Sequence, residues 1–180
     1  MRKVNAIVSA GMMLCFVLHA VLGALTMAGA TNDAARVLGW ITAALMGVHV
    51  VIGIVLTAKT LYACKKAGTH YIRGNELFWA RRLSGILILV LMAFHLGAFS
   101  TTAEGAVRLQ VFTAARLATQ ILLVLSVALH VIINVKPLLL SFGVKNLKPY
   151  IGDILVVLCL VLLLAVAGFV IYYLRWNVWA

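Results

Sequence analysis

The chain has 180 residues, of which 65% are hydrophobic and 11% are charged. This is too little polar surface to cover a soluble core, so the composition excludes a soluble domain and indicates an integral membrane protein. The net charge of +11 comes from cations that cluster between apolar runs, where they act as topology signals. No nucleic-acid-binding motif accompanies these cations, and we predict an all-α membrane protein with no nucleic-acid partner.

Five apolar runs are each long enough to cross a bilayer, which takes about 20 helical residues. They cover residues 6–30, 35–58, 83–100, 110–135 and 151–174. The first run is longer than the apolar part of a signal peptide, about 7 to 15 residues, and is interpreted as a retained helix. We predict five transmembrane helices in a single domain, residues 1–180. Four of them form an antiparallel bundle, and the fifth flanks it.

Basic residues between the runs predict the orientation of the helices in the membrane. Two connections are rich in cations: Lys59, Lys65, Lys66, Arg73, Arg81 and Arg82 in one, and Lys136, Lys145 and Lys148 in the other. By the positive-inside rule both are cytoplasmic, as is the N-terminus with Arg2 and Lys3. The C-terminus is then outside, where Tyr172, Tyr173, Trp176 and Trp179 resemble an interfacial aromatic belt.

Four of the five histidines occur singly inside apolar runs: His19, His49, His95 and His130. An imidazole is costly in hydrocarbon, so a histidine within a span indicates a functional group that faces the protein interior. Single histidines in four helices can supply two pairs of axial ligands. We therefore predict that these four histidines bind the iron of two haems.

Depth along the helices predicts how the histidines pair. Counted at about 1.5 Å per residue from the nearest cytoplasmic basic residue, His19 and His95 lie roughly 24 and 20 Å deep. His49 and His130 lie roughly 15 and 9 Å deep. The first two are expected to hold an outer haem and the last two an inner one, each across a diagonal of the bundle.

Arginines and glycines near the histidines fit the same interpretation. Haem propionates need cations, and four arginines lie thirteen or fourteen residues before a histidine on the same helix: Arg36, Arg116, Arg81 and Arg82. Arginines that flank a span are also ordinary topology signals, although Arg116 lies several residues inside its run. Four glycines close to the histidines would leave room for a porphyrin: Gly23, Gly47, Gly53 and Gly97. Glycines at helix contacts are the alternative.

Several of these residues together resemble a known family. They are His49-x3-Gly53, Thr57-Ala58-Lys59, a basic loop, the stretch Arg82-Leu83-Ser84-Gly85-Ile86, and His95. The pattern is similar to the cytochrome b subunit of succinate:quinone oxidoreductases, in the single-subunit, five-helix, two-haem form used with menaquinone. The resemblance covers nearly the whole chain and is weakest in the fifth span.

The resemblance implies that both haems are haem b, each bound by two of the four histidines. It also implies a role, partners and a location. Such subunits anchor a flavoprotein and an iron–sulfur protein on the cytoplasmic side of a prokaryotic inner membrane, and they pass electrons between the clusters and menaquinone. They are not catalytic alone, and succinate oxidation and fumarate reduction share their architecture. The basic loop from Lys59 to Arg82, with His70, would be a docking surface. Ser84 is included among the cofactor-binding residues on the same ground.

The chain departs from these relatives in two ways. Its outer loops are short, and the only acids there are Asp33 and Glu104. One of these is a candidate for handling quinone protons, with a role as an ordinary loop charge as the alternative. Some fumarate-reducing relatives carry a glutamate two residues before the fourth histidine, whereas this chain has Ala128. We predict no proton path through that helix.

Two other functions remain open from the residues alone. A free-standing two-haem cytochrome b could pass quinol electrons to a different reductase, and it would be purified without flavin or iron–sulfur chains. A non-redox transporter could use the histidines as proton relays, and its absorption spectrum would lack a haem band.

Overall fold

The computed structural model describes residues 1–30, 33–69, 74–101, 107–109 and 111–179. These contain five helices: α1 Arg2–Met27, α2 Ala34–Lys66, α3 Glu76–Ala98, α4 Ala114–Ser141 and α5 Lys148–Asn177. All five are long and apolar enough to cross a membrane, so the predicted helical, multi-pass class is confirmed. Two short antiparallel strands, β1 Phe99–Thr101 and β2 Val107–Leu109, lie between α3 and α4.

The helices do not end where the apolar runs end. Most of the predicted basic loop 59–82 is helical, because α2 continues to Lys66 and α3 begins at Glu76. Hydropathy identifies only the part of a helix that matches the hydrocarbon layer, whereas backbone hydrogen bonding continues into the headgroup region. Lys65 and Lys66 also lie in the last turn of α2, where cations interact favourably with the helix dipole. The loop prediction was therefore wrong for residues 59–66 and 76–82.

The helices form two hairpins joined by α5. In the first hairpin α1 packs along α2, and in the second α3 packs along α4. Helix α5 packs against α1 and α4, which also touch each other, so it flanks the two hairpins as predicted. Over the described residues, α2 and α3 make no comparable helix contact. We refer to the end of the molecule where α1 and α3 begin and α2 and α4 end as the basic end.

Helix α5 is held by two apolar clusters. One contains Val124, Leu158 and Leu162, and the other contains Ala98, Phe112 and Tyr172. Tyr172 is buried and packs edge-on against Phe112, with ring centroids 5.2 Å apart. Its predicted place in an interfacial belt is therefore wrong, whereas Trp176 and Trp179 are exposed.

Helix α5 approaches α1 closely at Gly168. A Cβ atom built at this position would lie 3.0 Å from Ala24 Cα and 3.1 Å from Ala24 Cβ. Backbone atoms of a packed helix cannot move aside cheaply, so a side chain here must separate the two helices. Glycine at this position thus sets the distance between α1 and α5.

We expect Gly168→Val to destabilise the protein by about 1–3 kcal/mol, because it overpacks this contact. The measurement is the unfolding midpoint in detergent micelles titrated with dodecyl sulfate and followed by circular dichroism. Gly152→Val, in the same helix, is the matched control, because no neighbouring atom lies within 4 Å of a Cβ there. Equal midpoints for the two variants would contradict the packing described for Gly168.

Candidate functional site

The four histidines of the spans meet in two pairs. His19 on α1 faces His95 on α3, with ring centroids 6.1 Å apart and ring planes at 84°. His49 on α2 faces His130 on α4, with centroids 6.5 Å apart and planes at 90°. These are the pairs that depth counting predicted. We call His19 and His95 the first pair and His49 and His130 the second pair; each joins one helix of each hairpin.

The two pairs lie at different levels. Ser9 contacts the second pair and precedes His19 on α1 by ten residues, which corresponds to about 15 Å along the helix. Ser84 also contacts the second pair and precedes His95 on α3 by eleven residues, or about 16 Å. Both helices therefore give the same separation, and the second pair lies nearer the basic end.

The hydrogen bonds of the first pair fix its tautomers. His19 Nδ1 lies 2.8 Å from the backbone oxygen of Ala35 on α2. His95 Nδ1 lies 2.7 Å from Oε1 of Gln120 on α4. A carbonyl oxygen can only accept, so Nδ1 carries the hydrogen in both rings, and Nε2 of the neutral ring carries a lone pair.

Serine hydroxyls fix the tautomers of the second pair. Ser9 Oγ lies 3.0 Å from His49 Nδ1 and donates its hydrogen to a carbonyl of α1, Asn5 O, at 2.8 Å. Ser84 Oγ lies 2.9 Å from His130 Nδ1 and donates to a carbonyl of α3 at 3.2 Å. A hydroxyl has one hydrogen, so each oxygen accepts from the imidazole.

All four imidazoles therefore share one protonation pattern. Each uses Nδ1–H to bind the neighbouring helix of its own hairpin, and in the described part of the chain none uses Nε2 in a hydrogen bond. An imidazole held in this way offers its Nε2 lone pair to a metal. The arrangement can thus supply two pairs of nitrogen ligands.

Two glycines that the sequence analysis did not select as site residues accommodate histidine rings. A Cβ at Gly39 would lie 2.9 Å from His19 Cε1, so the ring fits only because this position has no side chain. A Cβ at Gly85 would lie 3.6 Å from His130 Cε1, an ordinary contact distance. The absence of a side chain is therefore more important at Gly39 than at Gly85.

The four glycines predicted to leave room for a porphyrin do not lie at tight helix contacts. At Gly23, Gly47, Gly53 and Gly97 an added Cβ would meet no neighbouring atom within 4 Å. Close helix packing, as at Gly168, is therefore not the reason for these glycines. Gly23 and Gly53 each follow a histidine by four residues, and hence share its helix face.

Arg81 connects α3 to α4 beside the second pair. Pro137 has no N–H, so it leaves the carbonyl of Ile133, four residues earlier in α4, without its helical partner. Arg81 Nε donates to this oxygen at 3.2 Å. Ile133 follows His130 by three residues, and the Arg81 side chain therefore lies within about one helical turn of the second pair.

Arg82 connects α3 to α2. Its Nε donates to Thr57 Oγ1 at 3.1 Å, while the Thr57 hydroxyl donates to Gly53 O at 2.7 Å. The guanidinium carbon lies 3.8 Å above the ring of Phe78. Trp79, on the same face of α3, has a buried indole N–H with no hydrogen-bond partner among the described residues. The side of α3 at the basic end is thus rich in hydrogen-bond donors.

The remaining predicted site residues lie at the opposite end or outside the described residues. Arg116 is half-buried in the first turn of α4, and its Nη1 donates to Val111 O at 2.9 Å. Arg36 is exposed in the first turn of α2. Asp33 is exposed and immediately precedes α2. Glu104 and His70 lie outside the described residues.

Aromatic side chains enclose the first pair on the side of α5. His95 contacts the rings of Phe99 and Phe169, at centroid distances of 5.0 and 6.3 Å. Phe169 stacks in turn on Phe112. These rings form an apolar wall against His95.

Three partners of the imidazoles were not predicted: Ser9, Gln120 and the carbonyl of Ala35. A polar side chain in the middle of a span is a signal in the sequence for the first two, because such residues need a partner inside the protein. Nothing in the sequence distinguishes a backbone carbonyl. Comparison with protein-family models, curated proteins and solved structures finds no match for this chain.

Proposed function

We propose that the chain is a two-haem cytochrome b, and that the first and second pairs are the axial ligands of the two irons. The observation that carries this proposal is the pairing of histidines across the two hairpins with both Nε2 atoms unused. Among the described residues no group of three or more metal-ligating side chains occurs. A bare ion needs a third protein ligand, whereas a porphyrin supplies four nitrogens and needs only two more ligands.

The spacing of the rings fits an iron between them. A metal–imidazole bond is about 2.0–2.1 Å long, and Nε2 lies about 1.1 Å from its ring centroid. Two imidazoles that held one iron between them through Nε2 would therefore have centroids about 6.3 Å apart. The separations of 6.1 and 6.5 Å bracket this value.

The polar groups near the pairs fit the propionates of a haem. At the basic end, Arg81, Arg82 and the indole of Trp79 are donors to a carboxylate. Arg36 and Arg116 would serve the first pair from the opposite end. When bound, the haems would supply reversible one-electron transfer between the two faces of the membrane. The role of the chain is to hold the imidazoles, exclude water with its apolar helices and bind the carboxylates.

Within this class, we propose that the chain is the membrane anchor of a succinate dehydrogenase or fumarate reductase complex. Its support is the position of the residues on which the family resemblance rests. Ser84 and Gly85 lie against His130, and Arg82 binds Thr57. Ser84 and Gly85 of the motif therefore lie beside the second pair, whereas His95 of the motif belongs to the first pair. The electrons would pass between an iron–sulfur protein and menaquinone.

The charge distribution supports a proposal for the orientation of the chain, and the family resemblance supports one for its partners. We propose that the basic end faces the cytoplasm of a prokaryote and binds the iron–sulfur and flavoprotein subunits, with the N-terminus inside and the C-terminus outside. Cations gather there at the end of α2. We propose that Asp33 or Glu104 handles the protons of the quinone at the outer face.

One observation favours a free-standing cytochrome b. Helix α2 continues to Lys66 and α3 begins at Glu76, so most of the predicted docking loop 59–82 is helical and does not form the separate docking loop expected of an anchor. A protein without such subunits would receive quinol electrons and deliver them to another reductase.

Purification from native membranes separates these functions. The tagged chain is extracted in mild detergent, and the reduced-minus-oxidised spectrum, bound flavin and acid-labile sulfide are measured, with an untagged strain as the control. We expect the α-band of haem b together with flavin and sulfide. A haem band without flavin and sulfide would contradict the membrane-anchor function and support the free-standing cytochrome b. The absence of a haem band would overturn both and favour a proton-relaying transporter.

A further inference from the structure

We propose that Gln120 is the positioning residue of the first pair: it fixes the tautomer of His95 and strengthens its Nε2 as an iron ligand. This proposal rests on the proposed haem function. Gln120 is fully buried, with 0% of its surface exposed, within an apolar helix of the membrane. A carboxamide in such a place is costly unless its oxygen and its nitrogen both have partners.

The two ends of the Gln120 side chain have different partners. Its Oε1 lies 2.7 Å from His95 Nδ1, and its Nε2 donates to Thr119 Oγ1 at 3.3 Å. The Thr119 hydroxyl has already given its hydrogen to the backbone oxygen of Arg116 at 2.8 Å. Thr119 Oγ1 can therefore only accept from Gln120.

This chain of hydrogen bonds decides which end of the carboxamide faces the imidazole. With the amide nitrogen committed to Thr119, the oxygen must face His95, and His95 Nδ1 must donate. The alternative tautomer, with hydrogen on Nε2, would place two lone pairs against each other. Gln120 thus holds His95 in the one neutral form whose Nε2 can ligate iron.

A second consequence concerns ligand strength. Donation of Nδ1–H to a good acceptor gives the imidazole partial imidazolate character, which raises the basicity of Nε2. A more basic ligand stabilises ferric over ferrous iron. Removal of the acceptor should therefore raise the midpoint potential of the first-pair haem and leave the second-pair haem unchanged, since Ser9 and Ser84 hold the second pair.

A purely structural role for Gln120 predicts a different result. A residue that only fills space can be replaced by another of similar size without a change in potential. Gln120→Met preserves the length of the side chain and replaces the amide oxygen by a thioether, which is only a weak acceptor. Gln120→Leu removes the acceptor with a shorter, branched side chain. Gln120→Glu keeps an oxygen acceptor whether its carboxyl is ionised or protonated.

The experiment is a redox titration of both haems in the purified protein, with haem content measured on the same samples. For Gln120→Leu and Gln120→Met we expect about a tenfold fall in the oxidised-to-reduced ratio of one haem at fixed ambient potential, which is about 59 mV for a one-electron couple. Gln120→Glu should stay at or below the wild-type potential. Loss of one haem from Gln120→Leu and Gln120→Met, while Gln120→Glu keeps both haems, would also support the positioning role.

Two control variants are available. Ser126→Ala removes a different buried polar group of α4, a hydroxyl that donates to Leu122 O of its own helix. This variant should change the midpoint potential of neither haem. Ser84→Ala should affect only the other haem. Wild-type potentials in the Leu and Met variants, or a rise in the Glu variant equal to theirs, would overturn the positioning role. A wild-type protein without haem would instead overturn the proposed function.

Discussion

Replacing His95 or His49 by alanine is expected to remove one haem each, and a different haem in each case. The physical reason is that the two residues belong to separate pairs, at levels about 15 Å apart. Haem per chain, measured as the pyridine haemochrome against protein concentration, should fall from two to one in either variant. The combination His49→Ala with His95→Ala should leave none.

The pairing itself gives a sharper form of this prediction. His19→Ala and His95→Ala remove ligands of the same iron, so the double variant should retain one haem, as each single variant does. His70→Ala is the control and should retain both haems, because the sequence places His70 between two of the apolar runs. If His19→Ala and His95→Ala each lost a different haem, the assignment of both residues to one iron would be contradicted.

After the loss of a histidine ligand, substitution of Gly39 is expected to have the largest effect on haem binding. The Cβ of Gly39→Ala would lie 2.9 Å from His19 Cε1 and 3.1 Å from His19 Nδ1. The ring must move, and it then loses the hydrogen bond to Ala35 O that orients it. We expect the affinity for the first-pair haem to fall by about 10–100-fold, the range for loss of an orienting partner, and to fall further in Gly39→Val.

Gly85→Ala is a closely matched comparison. Gly85 also lies against a histidine ring, but its added Cβ would stand 3.6 Å from His130 Cε1, which is an ordinary contact. This variant should retain both haems. The measurement is haem dissociation to an excess of apomyoglobin, followed at two wavelengths. Equal dissociation rates for the Gly39 and Gly85 variants would contradict the requirement for glycine at position 39.

The sequence was sufficient to predict the spans and the pairs because both depend on distance along a helix. A rise of about 1.5 Å per residue converts the number of residues between a basic residue and a histidine into depth, whatever the rotation of the helix. His19 and His95 could thus be matched without knowledge of which helices touch. The flanking position of α5 followed from its lack of a histidine.

The hydrogen-bond partners of the imidazoles depend on how helices rotate and approach, which periodicity does not give. The Gln120 side chain reaches His95 because α4 packs on α3, and the carbonyl of Ala35 is accessible because Gly39 lies beneath the His19 ring. Arg81 can donate to Ile133 O because Pro137 leaves this carbonyl without a helical partner. Hydrophobic periodicity does not show this contact. Each is a contact between helices.

The contacts also reveal a repeat that the sequence alone hardly indicates. In each hairpin, a serine on the first helix binds the histidine of the second helix, as Ser9 binds His49 and Ser84 binds His130. In return, an oxygen on the second helix binds the histidine of the first, through a backbone carbonyl in one hairpin and Gln120 in the other. The two hairpins therefore support their imidazoles by the same reciprocal scheme.

A cryo-electron microscopy map of the protein purified from its native membrane tests the central claim most directly. We predict two flat densities between the hairpins, one bonded to Nε2 of His19 and His95 and the other to Nε2 of His49 and His130. A space between the hairpins that is filled by side chains or lipid alone, or an iron bound by any other residue, would contradict the proposed function.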